Sequence, residues 1–497
     1  MEQKSPNTEN VVKNEISVSH FSTRKRYLSP KEIFAFCFTS LGINSLNTFV
    51  GNCKQYFMMN FMGISGSAYG LLTAISTVWD ALDDPISGVV IDRIRTRWGR
   101  LRPFLIGPIP FWAITTILFF TIPSSFSTNQ RVVYAIVLTI INGIGHSYLG
   151  GWSLLLYNIT PNAEERSNLI ATQKTVELFN YLPSFVPFFV DFLPKISKNS
   201  INQPQVYSGM SYLFVAIAAF ACIFGFLNMR ERIPQADKKT VQETSIFKSF
   251  AVVFKNRPVL ALMLANFCGS IGGIRGSAGE DFFWMNCTGK LSNRFLASLF
   301  TGLPNYITTP MAPKVIKKLG LRRTAIVGSL FSAVGWVLLF IIGYAPTSNA
   351  VVNFVWITFM LTVIGIPNRI LGVCDPLLMG DIYDYMEWKH GMRNEGVVNA
   401  VNSYVGKLSG SVIGLLSGVV YDIINFSPQL DEFGNVVPHS DPKVLTGLFA
   451  IFALIPAVAK FGYAAAMLLF NVHGEFKEKM NEELKQIRIE RAVKESI

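Results

Sequence analysis

The sequence predicts an all-α membrane protein of about twelve transmembrane helices in two six-helix bundles. Half of its 497 residues are hydrophobic and only 15% are charged, against about a quarter charged in soluble domains. Apolar runs of about 20 residues recur along the whole chain, and each is long enough to cross ~30 Å of hydrocarbon. This composition excludes a soluble enzyme.

Apolar windows divide the chain into twelve candidate spans. In the first half they cover 33–60, 68–91, 103–123, 131–157, 168–192 and 208–228. In the second half they cover 258–285, 295–313, 323–345, 351–379, 396–422 and 444–471. The predicted organisation is a tail, a bundle, a linker, a bundle and a tail: 1–31, 32–228, 229–257, 258–471 and 472–497. No removable signal peptide is recognised before the first span, so we expect the first helix to direct insertion itself.

Basic residues are distributed asymmetrically across the predicted membrane. If both tails and the even-to-odd connections share one side, that side carries 32 of the 44 Lys and Arg residues, and the other side carries 6. The positive-inside rule then places both termini in the cytoplasm of a multi-pass protein of the cell (inner or plasma) membrane. The basic composition is therefore a topology signal, and we expect no nucleic-acid partner.

The sequence lacks the motifs of an ATP-driven pump or a metalloenzyme. No phosphate-binding G-x-x-x-x-G-K-[ST] loop occurs, no Cys/His spacing resembles a zinc site, and most of the six cysteines lie in apolar spans. We therefore expect no enzyme activity and no cofactor. Energy must come from a gradient of an ion or of the substrate.

The second span carries three acids at helical spacing. Asp80, Asp83 and Asp84 follow an i, i+3, i+4 pattern, so their side chains share one face of the helix. Three carboxylates within an apolar span cannot all stay ionised without a cation, and an intramembrane acid is a functional candidate by default. A sodium ion, a proton or a lysine would supply the charge. The structural alternative is a static ion-pair lock between helices.

The eleventh span carries the basic counterpart of these acids. Lys407 lies about eleven residues into the span, too deep to reach the interface easily. It belongs to a polar stripe with i, i+4 spacing, formed by Asn399, Ser403, Lys407 and Ser411. An adjacent stripe of small residues permits close helix approach, and it consists of Gly406, Gly410, Gly414 and Gly418.

Polar side chains in three other spans are candidates for substrate contact. Asn44 and Asn47 share a face of the first span, suited either to hydrogen bonding of hydroxyl groups or to contact between helices. Lys174 and Glu177 are spaced to pair with each other, which leaves open whether Lys174 binds a ligand. Arg275 either clamps a substrate carboxylate or pairs with the acids that follow it.

Charged residues cluster after the tenth span and in the C-terminal tail. We interpret Asp381, Asp384 and Arg393 as part of an ion-pair latch between the halves, the alternative being a solvated loop. From Gly474 onward acids and bases alternate in a helix-compatible pattern. This tail is expected either to lie along the cytoplasmic face or to be disordered.

Several motifs together resemble one known family. They are Asp80-x-x-Asp83-Asp84-Pro85, Arg97-Trp98-Gly99-Arg100-Leu101-Arg102-Pro103, Asp381-Ile382-Tyr383-Asp384-Tyr385-x-Glu387, Gly391-x-Arg393-x-Glu395-Gly396, and Lys407. In this order and on these spans they resemble the glycoside-pentoside-hexuronide:cation symporter family of the major facilitator superfamily. The resemblance implies a major facilitator fold, alternating access, and symport of a sugar, glycoside or hexuronide with Na+ or H+.

The resemblance also implies roles for residues around the cation. Asp80 and Asp84 match cation-binding positions, with Na+ as one candidate ion. Asp83 stands beside them, where the family usually has Asn. Lys407 matches the family lysine near these acids, and His146 lies near a position that supplies a hydroxyl ligand to sodium. We group Arg97 of the basic motif with the latch residues as a candidate gate.

For the substrate, the resemblance assigns Lys174 to sugar contact, places Asn44 where the family has a sugar-binding Asp, and makes Trp152 the aromatic that ends the fourth-span motif. Two sugar-holding acids are replaced here. With Lys174 retained and Arg275 present, an anionic glycoside such as a uronide is one substrate option. The partners expected are a small sugar or glycoside, a coupling cation and membrane lipid, with the protein as a monomer. The rival functions are a lysolipid or other amphiphile transporter of the same fold, and a channel.

Overall fold

The computed structural model is almost entirely helical, and it confirms the predicted fold class. It describes residues 26–94, 96–123, 125–160, 162–177, 180–232, 256–390 and 395–495. Within these ranges a few side chains, including that of Asp84, also lie outside the description. Most of the linker between the halves lies outside the described residues as well.

Eight α-helices form the first half. They are α1 (Pro30–Asn60), α2 (Gly66–Arg93), α3 (Ile109–Phe119), α4 (Thr128–Leu149), α5 (Leu155–Asn158), α6 (Ala163–Glu177), α7 (Val186–Ile196) and α8 (Gln203–Asn228). Short 3-10 turns at Arg102–Leu105, Gly150–Leu154 and Leu182–Phe185 precede α3, α5 and α7. The first helix begins after a capping box formed by Ser29 and Glu32. The Ser29 side chain accepts a hydrogen bond from the backbone N–H of Glu32, and the Glu32 carboxylate accepts one from the backbone N–H of Ser29.

Eight further helices and a hairpin form the second half. The helices are α9 (Arg257–Ser270), α10 (Gly276–Thr288), α11 (Ser292–Gly302), α12 (Asn305–Leu319), α13 (Leu321–Ile342), α14 (Ala350–His390), α15 (Glu395–Ile423) and α16 (Pro442–Met467). Strands β1 (Gln429–Leu430) and β2 (Val436–Val437) pair antiparallel between α15 and α16. A last helix, α17 (Gly474–Glu495), follows.

Ten helical segments in the described part of the chain are long and apolar enough to cross a membrane. The second and eighth predicted spans are the two that fall outside this set. Helix α2 carries the three acids, which lower its hydropathy. The eighth span is interrupted between Gly302 and Asn305, around Pro304, which divides it into α11 and α12.

The tenth span differs from its predicted limits. It was expected to end at 379 and to lead into a charged connection, but α14 continues to His390 and carries Asp381 and Asp384 on the helix. The helix extends because α17 packs beside it: Lys477 Nζ lies 2.6 Å from an Asp381 carboxylate oxygen, and Trp388 Nε1 donates to Glu483.

The C-terminal tail is helical and docked rather than disordered. Along α17, Met480 and Leu484 are almost completely buried, and both lie on the side that meets the second half. One face of α17 is therefore covered by the second half of the protein. The other face is exposed, as expected of an amphipathic surface helix.

His473 joins this docked helix to the start of α13. Its Nε2 atom lies 2.6 Å from Arg322 Nη1, and Arg322 also donates to the carbonyl oxygens of Met467 and Leu468. Partial burial, with the positive charges of Arg322 and Arg323, lowers the pKa of His473 below its ordinary value of 6.5. A neutral ring can accept the arginine hydrogen, whereas a protonated ring cannot.

We expect the docking of α17 to weaken in mild acid. The folded-state pKa of His473 is depressed, so neutral His473 stabilises the docked helix fully above about pH 6.5. This stabilisation is lost as the pH falls through the folded-state pKa. A spin label at Glu482 on the exposed face should become more mobile over that range. His473→Gln, which keeps an acceptor that does not titrate, should remove the pH dependence; equal pH profiles for both proteins would contradict this role.

The two halves meet mainly at one end of the molecule. We call the end that carries Pro30 and Met467 the terminal face, and the opposite end the distal face. Hydrogen bonds between backbone and side chains join the halves at the distal face. They include Ser67 N to Asp422 Oδ2 at 2.9 Å, Gln203 N to Asn435 Oδ1 at 2.9 Å, Val436 N to Gln203 Oε1 at 2.9 Å and Ser292 N to Asp191 Oδ2 at 2.6 Å. This end is therefore sealed.

Helices α2 and α15 show the same asymmetry along their length. Near the distal face their backbones touch, and a Cβ atom added to Gly418 would collide with the carbonyl oxygen of Gly66. Further along α15, a Cβ atom on Gly410 or Gly406 would meet nothing within 4 Å. Gly414 also approaches α2, since a Cβ atom there would lie 2.5 Å from the Thr73 side chain. Among the glycines of the stripe, the distal two therefore contact α2, and Gly410 and Gly406 do not.

Candidate functional site

A cavity of about 480 Å³ is lined by residues of the first half. Its lining is predominantly polar and consists of Asn44, Asn47, Thr48, Trp152, Gln173, Lys174, Glu177 and Asn180. Four residues that the sequence nominated for substrate contact are thus brought together from three separate spans. Amide groups beside an aromatic ring suit the hydroxyl groups and the apolar face of a sugar.

Glu177 is the centre of the hydrogen-bond network in this cavity. Its carboxylate accepts from Ser40 Oγ at 2.8 Å, Asn44 Nδ2 at 3.0 Å, Gln173 Nε2 at 3.0 Å and Lys174 Nζ at 2.7 Å. The lysine side chain is 68% exposed, yet its charge is matched by its own neighbour. The cavity therefore offers a paired positive and negative group and no excess of either charge.

Trp152 is held at the cavity by packing below it. It lies in the 3-10 turn after α4, and its ring centroid is 5.4 Å from that of Phe36 in α1. The preceding Gly151 packs against Phe104, where a Cβ atom would lie 3.3 Å from the ring. The absence of a side chain at Gly151 thus allows Phe104 to approach the turn that carries Trp152.

Asp80 of α2 lies against helices from both halves. Lys407 Nζ of α15 lies 3.4 Å from the backbone carbonyl oxygen of Asp80. The Asp80 carboxylate lies against Gly143 of α4, where an added Cβ atom would be 3.1 Å from Oδ1. Asp83 is 6% exposed, and its buried Oδ2 has no hydrogen-bond partner within the described part of the chain. The side chain of Asp84 lies outside the described residues.

Lys54 of α1 is a second lysine near this cluster, and the sequence analysis did not single it out. Its Nζ atom donates to Thr139 Oγ1 at 3.0 Å and lies 4.1 Å from the centre of the Phe119 ring. It also interacts electrostatically with Asp80. In the sequence Lys54 stands near the end of its span, where a lysine ordinarily reaches for the interface, so no local signal distinguished it.

His146 is placed on α4, one turn beyond Gly143. Its side chain is exposed, and its ring lies edge-on to Trp112 with the centroids 6.4 Å apart. The contact described for His146 is therefore with an aromatic ring. A role for His146 at the cation stays a prediction.

Arg275 does not line the cavity. It lies at the break before α10, where Gly276 adopts φ +54°, and it pairs with Glu280. Its guanidinium group stacks 4.6 Å from the Phe452 ring centre and 5.2 Å from that of Trp336. Of the two interpretations open for Arg275, pairing with a neighbouring acid is the one found in this conformation.

The contacts described for two of the candidate gating residues, Arg97 and Asp381, are within their own halves. Arg97 is exposed and stacks on Trp98 at 4.5 Å, and the loop that follows is held by Glu231, which accepts backbone N–H bonds from Arg100 to Arg102. Asp381 pairs with Lys477 of α17, and Asp384 lies three residues further along α14. Arg393 lies outside the described residues. A latch between the halves remains a prediction for another conformation.

Two helical bundles joined at one end, a polar cavity in the first of them, and intramembrane acids on a helix that a lysine of the other bundle contacts are typical of a secondary transporter. The chain belongs to the MFS/sugar transport protein family, whose model matches residues 35–474. This is the glycoside-pentoside-hexuronide family that the motifs indicated. The protein is a multi-pass membrane transporter and not an enzyme, and the family's activity is cation-coupled sugar symport.

Similar proteins agree with this assignment over most of their length. The chain is 28% identical to the uncharacterized symporter YjmB of Bacillus subtilis (strain 168), covering 88% of this chain and 91% of that protein. It is 26% identical to the isoprimeverose transporter of Lactiplantibacillus pentosus, covering 92% and 91%. A crystal structure of a D-xylose-proton symporter shares the fold, with a TM-score of 0.59, 14% identity, and coverage of 90% of this chain and 98% of that one.

Proposed function

We propose that this protein carries a neutral glycoside together with a monovalent cation by alternating access of the bundles 32–228 and 258–471. The observation that carries the proposal is the cavity around Glu177, whose charges cancel and whose other groups are amides, a hydroxyl and an indole ring. Asn44, Asn47, Lys174 and Trp152 are the proposed substrate contacts. An amphiphile would require an apolar slot, which this lining does not provide.

We propose the neutral substrate in preference to the anionic option raised by the sequence, which stays a prediction. That option rested on free positive charge from Lys174 and Arg275. Lys174 pairs with Glu177 and Arg275 pairs with Glu280. Each cation therefore already has an acidic partner in place of a substrate carboxylate. A relative named for isoprimeverose supports a glycoside as the substrate class.

The proposed cation site is formed by Asp80, Asp83 and Asp84 with Lys407, and the coupling ion is Na+ or H+. Binding of the cation neutralises the acids and weakens their hold on Lys407, which contacts α2 from the other half. This frees α2 and α15 to shift relative to each other. Because binding is reciprocal, the cation should raise sugar affinity by the same factor as the sugar raises cation affinity.

The basic residues on the terminal face support a cytoplasmic location for both termini. In that orientation the distal face, where hydrogen bonds join the halves, is proposed to lie on the outer side of the membrane. When the terminal face closes, Arg97, Asp381, Asp384 and Arg393 are proposed to meet across the halves as a gate.

Glu177→Gln tests the substrate class directly. It leaves Lys174 unmatched in the cavity, so the apparent affinity for a uronic disaccharide relative to its neutral counterpart should rise about tenfold, which corresponds to ~1.4 kcal/mol. Counterflow of both labelled sugars in proteoliposomes measures this ratio. The wild-type protein should prefer the neutral sugar.

The double variant Lys174→Met/Glu177→Gln is the matched control, because it removes both charges and should restore the wild-type preference. Equal counterflow of the two sugars by the wild-type protein would contradict the neutral assignment. Absence of sugar counterflow altogether would contradict the proposed function itself.

A further inference from the structure

A cavity at the terminal face lies where the docked helix α17 meets α12, α13 and α14, and residues of all four helices line it. Its volume is about 630 Å³, which is in the range of pockets that hold small organic ligands. Part of its wall is the start of α13 at Leu321, where a membrane-spanning segment begins. The cavity therefore lies at the level of the membrane surface, and the transport scheme above has no use for it.

Two arginines on the wall of this cavity carry charges that no described acid neutralises. Arg322 donates to the carbonyl oxygens of Met467 and Leu468 and contacts the His473 ring. Arg323 is exposed and forms no ion pair within the part of the chain that the structure describes. Guanidinium groups bind phosphate oxygens in a bidentate manner, so this wall suits an anion.

The other charged residues of the described lining do not cancel this positive charge. Lys477 and Asp381 form the ion pair that docks α17, and Glu478 is an exposed acid on the same helix. Lys317 and Lys318 in the last turn of α12 add positive charge close to the cavity.

Part of the lining is apolar and uncovered. Leu319 at the end of α12 is 42% exposed and Leu377 on α14 is 47% exposed. Ile316, one turn before Leu319, also lines the cavity. Large apolar side chains exposed at a membrane surface are suited to contact with lipid. A free inorganic anion would leave these side chains uncovered, whereas the acyl chains of a lipid would cover them.

We propose that this cavity binds the headgroup of an anionic phospholipid and thereby holds α17 against the second half. The phosphate group contacts Arg322 and Arg323, and the first carbons of the acyl chains lie on Leu319 and Leu377. Basic pockets between membrane helices recognise anionic headgroups in this way, and the first-turn N–H groups of α13 and α17 add to the attraction.

The position of the cavity explains why the lipid would restrain the tail. Its basic wall belongs to α13, whereas Lys477 and the start of α17 at Gly474 form the facing part of the lining. A headgroup between them contacts both helices. The proposal is independent of the sugar and of the coupling ion.

The test uses the full-length protein in a neutral detergent, with phosphatidylglycerol added as the probe at neutral pH, where His473 is uncharged. Native mass spectrometry counts bound lipid, and a spin label at Glu482 reports the mobility of α17. Both signals should saturate together in the parent protein. Arg323→Glu should raise the half-saturating concentration of phosphatidylglycerol at least about tenfold, because a favourable charge becomes an unfavourable one.

Lys318→Glu is the matched control, since it makes the same change of charge on an exposed residue nearby that does not line the cavity. It should bind the lipid as the parent protein does. Arg323 is chosen because Arg322 also holds the end of α16. If Arg323→Glu is poorly recovered, Arg323→Gln should show a smaller loss in the same direction.

Several outcomes would overturn the proposal. An unchanged response in both Arg323 variants would remove the site, and an equal loss in Lys318→Glu would reduce it to general attraction between charged surfaces. The same effect with phosphatidylcholine would show that the headgroup charge is not recognised. The same effect with inorganic phosphate or glycerol phosphate alone would assign the cavity to a free anion, and bound lipid without a change in label mobility would show that it does not hold α17.

Discussion

Asp80→Asn should abolish accumulation of the glycoside against its gradient and lower cation-driven uptake about 100-fold, which lies in the range of a typical coupling free energy between two sites. The substitution keeps the shape of the side chain against Gly143 and removes the charge. Without that charge the cluster no longer attracts a cation, so sugar binding is no longer tied to an ion gradient. Uptake of labelled sugar under an imposed Na+ or pH gradient measures the effect.

Loss of uptake has to be separated from loss of the folded protein. Asp375→Asn on α14 is a matched control, because it also neutralises an intramembrane acid and its amide oxygen can still accept the hydrogen bond from Tyr463. That variant should insert and transport normally. Accumulation that persists in Asp80→Asn and still follows the cation gradient would contradict the site.

The sequence predicted the fold well because membrane helices are specified by local composition. Twenty apolar residues must form a helix in hydrocarbon, since backbone groups have no other partners there. This rule alone predicts a helical membrane protein, and the resemblance to a known family added the major facilitator fold. The rule is least informative where a span carries charges or prolines, as in α2 and at the break between α11 and α12. It is silent beyond the membrane, which is why the extension of α14 to His390 was missed.

The candidate site was predictable in part. The spacing of Asp80, Asp83 and Asp84 and the depth of Lys407 are local patterns, and they pointed to α2 and α15 before any contact was known. Glu177 was visible as a partner of Lys174, but its bonds to Ser40 and Asn44 join separate spans and depend on tertiary packing. The placement of Lys54 beside α4 has the same origin.

The small-residue stripe of α15 has two parts that differ in their contacts with α2. Gly418 touches α2 at the sealed end and Gly410 faces open space on the same helix. If the halves rock about the centre of the molecule, the two positions exchange roles in the opposite conformation. The stripe then acts as a pair of alternating contact surfaces, one for each state.

Gly418→Ala should therefore prevent the distal face from closing. A Cβ atom there collides with the backbone of Gly66, which cannot yield unless the helices part, even though alanine itself favours a helix by about 1 kcal/mol. Cys53 reports the change, because it is 4% exposed and lines the small pocket between the halves near this end.

The measurement uses a background in which Cys268 and Cys287 are replaced by Ser, and a membrane-impermeant maleimide is added in detergent. We expect Cys53 to be labelled at least about tenfold faster in Gly418→Ala than in the parent protein. A shift of the conformational equilibrium by ~1.4 kcal/mol toward the open state has that effect. Gly410→Ala makes the same substitution on the same helix and meets nothing in this conformation, so Cys53 should stay protected there. Equal labelling rates in the two variants would show that the glycine contact does not hold the distal seal.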